Sequence, residues 1–222
     1  MCQTLKANHN TNFKKAGLSY YGHCREDILA HVPIRSKRVL SVGCGSGLTE
    51  SKLVKNGVEV FGIELNKSAA KAAEKRGLKI INCDVLKADL GIIGGSFDCI
   101  IYADVLEHLV DPMAVLMYHI KFLKSDGIII VSVPNFRHFS VLYQLFFKGH
   151  IEYCDAGILD RTHLRITTRK MVEKWFIDNQ IKLVSYDGIL GPKRKLVSFL
   201  TFGLLKDFLF KQVVLVGQKN GK

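Results

Sequence analysis

Three glycines alternate with two small residues in Val39-Leu40-Ser41-Val42-Gly43-Cys44-Gly45-Ser46-Gly47, directly after an apolar run. A strand that feeds a glycine turn and then a helix is the first βα unit of a nucleotide-binding α/β fold. Gly43 permits the tight turn, and Gly45 admits a ligand to the backbone with no Cβ in the way. The spacing is G-x-G-x-G. The pyrophosphate fingerprint needs a further glycine where Leu48 stands, and no G-x-x-x-x-G-K-[ST] loop occurs. The loop is therefore shaped for a nucleoside ligand that lacks a pyrophosphate.

Two acids downstream suit the same ligand. Glu64, in VEVFGIELN, lies about twenty residues beyond the first glycine, where a carboxylate accepts hydrogen bonds from ribose hydroxyls. Asp84, in IINCDV, follows the next apolar run and is placed to bind an exocyclic adenine amine. Either acid alone also reads as a solvated strand end. Together with the glycine loop they point to an adenosine ligand lying across the place where strand order reverses.

A sheet must carry these residues. Strands are expected over 39–42, 58–63, 79–82, 97–102 and 127–133, with helices over 49–56, 67–76 and from Asp111-Pro112 to about residue 124. The run 97–102 is strongly apolar, as in a strand buried on both faces. This alternation indicates a parallel, doubly wound α/β sheet. After Pro134 the rhythm breaks into a long connection, 135–166, before a helix over 168–179 and strands over 182–186 and 212–218. Within 135–166, Phe139, Leu142, Tyr143 and Phe146 recur at helical spacing, and 188–211 repeats the theme behind Lys193-Arg194-Lys195. Two readings of these inserts stand: lid and edge packing, or a basic amphipathic surface for a membrane or a lipid-linked acceptor. Residues 1–18 read as a mobile tail and 19–33 as a short helix stopped at Pro33. The rest, 19–222, reads as one domain.

The 222 residues include 48% apolar and 23% charged types and 4 prolines, which excludes long disorder and low-complexity architecture. The net charge of +12 sits on the flanks: +5 over 1–38, −1 over 39–132 and +8 over 133–222. A nucleic acid, an anionic small molecule and a membrane surface all suit that charge. The six cysteines form no C-x-x-C pair and no Cys/His cluster of zinc spacing, so no metal is expected. Cys83 and Cys99 border apolar runs and read as buried free thiols. No apolar leader opens the chain, and the longest uncharged stretches hold about ten residues against the roughly twenty of a membrane span. A cytoplasmic protein is expected, with peripheral membrane contact under the second reading of the inserts.

The sequence resembles the class I S-adenosylmethionine-dependent methyltransferases over about 20–190, with the closing strand extending the match to 218. VLSVGCGSG resembles their first motif, IELN the ribose-binding acid, NCDV the adenine-binding acid, FDCIIYADVLEHLVDP the fourth-strand motif and GIIIVSVPN the fifth strand. YCDAGILDRTHLRITT resembles a bacterial small-molecule subgroup associated with glycan and cell-surface biosynthesis. The resemblance implies a Rossmann-like seven-stranded sheet, mostly parallel with an antiparallel last strand and helices on both faces. It implies S-adenosyl-L-methionine as cofactor and S-adenosyl-L-homocysteine as product. Gly43, Gly45 and Ala103 would cradle the methionine portion, and Asp104 and Val105 would border the adenosine or the methyl. Cys44, Gly47, Leu65 and Val85 would complete the cofactor shell. The family usually has an acid where Ser41 stands, so a charge-assisted hydrogen bond is lost and weaker cofactor binding is expected.

Methyl transfer to oxygen gains from a base near the acceptor. His108, in LEHLVDP, and His163, in LDRTHLR, are the candidates, with Asp160 to orient an imidazole and Arg161 or Arg165 to hold an anionic acceptor. His108 equally reads as a loop-structuring residue, and His119 as a surface or partly packed side chain. Tyr20 and Tyr21 are placed to close over the site or simply to pack. The expected acceptor is a small molecule or a glycan-related, lipid-linked one. A non-catalytic relative that binds the cofactor is the first alternative. A nucleic-acid methyltransferase is the second, disfavoured by the lack of a [DN]-P-P-[YF] motif.

Overall fold

The computed structural model describes residues 24–90, 97–190 and 192–221. The tail over 1–18 and Tyr20 and Tyr21 lie outside the described residues. Seven strands form one sheet: β1 (Arg38–Val42), β2 (Glu59–Ile63), β3 (Lys79–Ile81), β4 (Phe97–Ala103), β5 (Leu123–Pro134), β6 (Ile181–Asp187) and β7 (Gln212–Lys219). Their order is β3-β2-β1-β4-β5-β7-β6. β1 pairs in parallel with β2 and β4, β2 with β3, and β4 with β5, while β7 runs antiparallel to both β5 and β6. The chain thus winds outward from β1 to β3, then returns to start β4 on the other side of β1. That reversal opens a crevice at the carboxyl ends of β1 and β4, where ligands of such sheets bind.

Alternate residues of the central strands feed two separate cores, because successive side chains point to opposite faces. Leu40, Val42, Ile100, Tyr102 and Val131 pack on one face against Val115 and Leu116 of α4 (Pro112–Ile120) and Val172 and Phe176 of α6 (Arg169–Asp178). Val39, Cys99, Ile101 and Ile130 pack on the other. There they meet Ile28 of α1 (Glu26–Leu29), Leu53 of α2 (Ser51–Lys55) and Ala73 of α3 (Lys67–Lys75). Cys99, Ile100, Ile101 and Tyr102 are fully buried, which is why β4 reads as an apolar run from Cys99 onward. Cys99 is a buried free thiol, while Cys83 is free and half-buried.

Side-chain caps set the helix starts. Asn66 accepts from Ser68 and Ala69 N–H, Asp111 from Ala114 N–H, and Thr168 from Met171 N–H. One boundary differs from expectation. α4 stops at Ile120, and β5 begins already at Leu123, which pairs with Phe97 ahead of a register shift. The Lys219 ammonium donates to the Ile120 and Leu123 carbonyls and so satisfies acceptors at the helix end.

The inserts hold α5 (Phe139–Tyr143), a π turn (Gln144–Lys148), α7 (Pro192–Leu200) and α8 (Lys206–Leu209). They meet where the Arg194 guanidinium lies 5.5 Å from the Phe139 ring. Their apolar faces do not pack inward as a lid. Phe139, Tyr143, Phe146, Phe147, Leu196, Phe199, Phe202 and Leu204 are exposed, and the inward residue of α5 is Val141. No helix among the described residues is long and apolar enough to cross a membrane.

Candidate active site

The glycine loop turns at the end of β1, where Gly43 and Cys44 N–H both donate to the Ile63 carbonyl of β2 at 2.8 and 3.3 Å. Gly43 has φ +68°, and a Cβ there would lie 2.6 Å from Val105 Cγ2. Gly45 donates its N–H to Glu64 Oε2 at 2.8 Å, while Glu64 Oε1 accepts from Asn66 N–H at 2.7 Å. Glu64 is buried, and burial pushes its carboxyl up, opposed by these backbone donors. Asp84 is exposed at the end of β3, with one oxygen accepting from Leu86 N–H. Leu65 is exposed and Val85 and Ala103 are half-buried along the same edge.

Two loop residues expected at a ligand also serve packing. A Cβ at Gly47 would lie 3.0 Å from Ala73 Cβ and 3.1 Å from Leu78 Cδ1, so this glycine lets the loop approach α3. Cys44 Sγ fills the space above Gly62 of β2, where burial pushes the thiol up. Cys44 can offer a ligand its backbone only.

Ser41 is not alone. Its hydroxyl donates to Glu50 Oε1 at 2.8 Å, and both residues are buried. Glu50 thus brings a carboxyl to the place where Ser41 lacks one. Burial raises its proton affinity, and the Ser41 bond opposes that.

Asp104 follows β4 directly, with φ +58°. Its carboxylate is engaged within the protein: Oδ1 accepts from Ser132 Oγ at 2.8 Å and Gln212 Nε2 at 2.6 Å, and Oδ2 pairs with Arg25. Arg25 also holds Asp27. Any ligand at this strand end therefore meets the backbone and Val105 rather than a free carboxylate.

The chain continues through a 3-10 turn, Leu106–His108. Glu107 is 1% exposed, and its Oε2 has no hydrogen-bond partner among the described residues. Burial holds its carboxyl well above the usual range, with Asp104 adding to the effect. The Glu107 carbonyl accepts from Leu164 and Arg165 N–H at 2.8 and 3.0 Å, which ties the second half of the 135–166 insert over the end of β4. His163 is thereby brought to His108, with ring centroids 4.9 Å apart. One ligand atom each from Glu107, His108 and His163 lies within 4.8 Å of the others. No metal is expected from the spacing of cysteines and histidines, and these three side chains form a group of metal-ligating types.

The supporting residues differ from expectation. Asp160 does not orient His163. Its Oδ1 accepts from Thr162 N–H and Oγ1 at 2.8 and 2.7 Å, while His163 Nδ1 faces the Ile158 carbonyl at 3.1 Å. Thr162 in turn presents its carbonyl and hydroxyl to His108 Nδ1, each at 3.2 Å. Asp160 therefore acts on His108 through Thr162. Arg161 pairs with exposed Asp155, and Arg165 donates to the Val110 carbonyl, so the two do not form a shared clamp. His119 is fully buried rather than at the surface, with Nδ1 2.8 Å from the Tyr102 hydroxyl. Burial lowers its pKa to about 4.

Sequence reasoning passed over Glu107, Glu50, Arg25 and Gln212. Glu107 had a signal, an acid set between apolar residues beside His108. Arg25 and Gln212 meet Asp104 across 79 and 108 residues, which no local pattern reveals.

Residues 25–179 match the family model described as "Methionine biosynthesis protein MetW". The chain belongs to the MetW family. Among curated proteins, this MetW-family chain is 33% identical over 113 residues to the ubiquinone biosynthesis O-methyltransferase of Cereibacter sphaeroides (strain ATCC 17025 / ATH 2.4.3), covering 49% of this chain and 46% of that protein. The chain spans about half the length of the curated relatives it matches. Among solved structures, an S-adenosylmethionine-dependent methyltransferase from Archaeoglobus fulgidus superimposes with a TM-score of 0.62 at 16% identity, over 83% of this chain and 87% of that one. One from Mesorhizobium loti gives 0.62 at 15% identity, over 87% and 96%. The MetW-family chain thus shares the fold of class I S-adenosylmethionine-dependent methyltransferases. The site fits the cofactor this implies: Glu64, a buried carboxyl of the kind that binds ribose hydroxyls, is held against the glycine loop by Gly45 N–H, and Gly43 lets the loop backbone approach Val105 closely.

Proposed function

We propose that this chain transfers a methyl group from S-adenosylmethionine to an oxygen of a small-molecule acceptor. The observation that carries the reading is the shared edge. Glu64 and the glycine loop follow β2 and β1, and the Glu107–His108–His163 cluster lies beyond the same end of neighbouring β4, an arrangement that supports a nucleoside site beside an acid–base site. When bound, the cofactor supplies an electrophilic methyl on sulfur. Glu64 would hold the ribose through the lone pairs left by Gly45 and Asn66, and Asp84 and Leu65 would flank the adenine. The Gly43–Gly45 backbone and Ala103 would hold the methionine portion.

The histidines would take the acceptor proton. Each Nδ1 faces a backbone carbonyl, Thr162 for His108 and Ile158 for His163, so the hydrogen-bond network assigns Nδ1–H and leaves the lone pair on Nε2. Asp160 is a positioning residue that acts through Thr162. A hydroxyl is favoured as acceptor because it needs such a base, and because the curated relatives are named as O-methyltransferases. The exposed apolar faces of α5 and α7 and the net +8 over 133–222 support an acceptor that is itself lipid-linked, glycan-bearing or membrane-bound.

Calorimetry with S-adenosylmethionine and S-adenosylhomocysteine tests the reading. Binding is expected, weakened about tenfold or more by Glu64→Ala, equivalent to about 1.4 kcal/mol. Labelled methyl is then expected on hydroxylated metabolites or lipid extracts, not on RNA or DNA. No heat and no thermal stabilisation by either molecule overturns the proposal. Binding without turnover on any acceptor makes the chain a non-catalytic binder.

A further inference from the structure

Glu107 poses a problem that the acid–base reading leaves unsolved. A carboxyl oxygen buried with no hydrogen-bond partner costs about 1–3 kcal/mol, and native folds rarely leave one so. No lysine or arginine is paired with it among the described residues: Arg25 goes to Asp104 and Asp27, and Arg165 to the Val110 carbonyl. What lies within reach of its ligand atom are the two imidazoles.

We propose that Glu107, His108 and His163 bind a single divalent cation of the first transition row. Two imidazoles and one carboxylate form a donor set suited to such ions. Each imidazole is also arranged as metal-ligating histidines are, with the other ring nitrogen hydrogen-bonded to a backbone carbonyl that fixes the tautomer. The backbone supports the same geometry. Glu107 and His108 are consecutive on the turn after β4, and the Glu107 carbonyl anchors Leu164 and Arg165, immediately after His163. Donors up to 4.8 Å apart must draw in by about 1 Å or more to ligate one ion at roughly 2.1 Å, a movement that side-chain torsions at half-exposed His108 and His163 supply.

Three protein ligands leave open positions for water or an acceptor oxygen. With the ion bound, a hydroxyl held there would be a stronger acid and would lose its proton to bulk water, the imidazoles then being ligands; the imidazole-base route described above belongs to the metal-free chain. This use of the ion rests on the function proposed above; the ion's binding does not.

The test uses the full chain, stripped with EDTA and dialysed. Titration with Co²⁺ followed by visible absorption, and with Zn²⁺ or Mn²⁺ by calorimetry, should show one equivalent per chain. His163→Ala and Glu107→Gln should each weaken binding at least tenfold, while His150→Ala, an exposed control, should not. Circular dichroism establishes that each variant is folded; if Glu107→Gln is not, His108→Ala takes its place. Absence of stoichiometric binding, or binding undiminished in the cluster variants, overturns the proposal. S-adenosylmethionine calorimetry on the metal-free chain separates the two readings. A chain that binds Co²⁺ through these residues but not the nucleoside keeps the metal site and loses the methyltransferase assignment.

Discussion

At Ser41 the position where the resemblance to class I methyltransferases implies an acid holds a hydroxyl, and a carboxyl comes from Glu50 on the following helix start. Restoring the usual acid should therefore do harm. Ser41→Asp places a second carboxylate against buried Glu50, and like charges out of water are mutually destabilising. Urea denaturation is expected to show a loss of about 1–3 kcal/mol, and the double variant Ser41→Asp/Glu50→Gln should recover most of it. A stable single variant would mean that the two side chains do not share one buried site. Glu64 and the glycine turn were legible in the sequence because strand, turn and acid recur at fixed intervals along the chain. Glu50 was not, because what matters is its distance from Ser41 across a loop, and spacing does not encode that. The same holds for Asp160, whose neighbour His163 in sequence is not its partner in space.

The sheet strands were readable from apolar runs, since each core strand is covered on both faces and cannot hide a charge. The inserts were not, because helical periodicity shows that a face is apolar without showing what covers it. Here no part of the described chain covers it: Phe146 and Phe147 are 77% and 78% exposed, and Phe199 and Phe202 are 78% and 94% exposed. With Arg194 beside Phe139 and Lys148 ending the π turn, these elements combine cationic and aromatic groups as interfacial segments do. Flotation with anionic liposomes should carry the protein upward at low salt and release part of it at high salt. Phe146→Ser/Phe147→Ser should abolish flotation with the fold intact. Protein that stays at the bottom with anionic vesicles at low salt removes membrane contact from the account.

For the molecule as a whole, His119 makes stability depend on pH. Its ring is fully buried against Tyr102, with a pKa of about 4 in the folded chain against 6.5 for a free imidazole. A depressed imidazole contributes stability that is complete above pH 6.5 and is lost as pH falls toward 4. At about 1.4 kcal/mol per unit, the loss amounts to about 3 kcal/mol. Glu50, Glu64 and Glu107, raised by burial, tilt stability the opposite way, so the comparison must be between variants. Denaturation of wild type and His119→Gln at pH 7.5 and 4.5 should show the steeper acid loss in wild type. Equal slopes would place the ring in contact with solvent.

Asp104 is gripped at once by Arg25 and by Gln212, the first residue of the last strand, and that strand lies between β5 and β6. Opposite extremes of the fold thus converge on the floor of one crevice. During translation, synthesis must pass Gln212 before this floor can be finished. Ligand competence is therefore acquired late and all together, not built up stepwise as the nascent chain emerges.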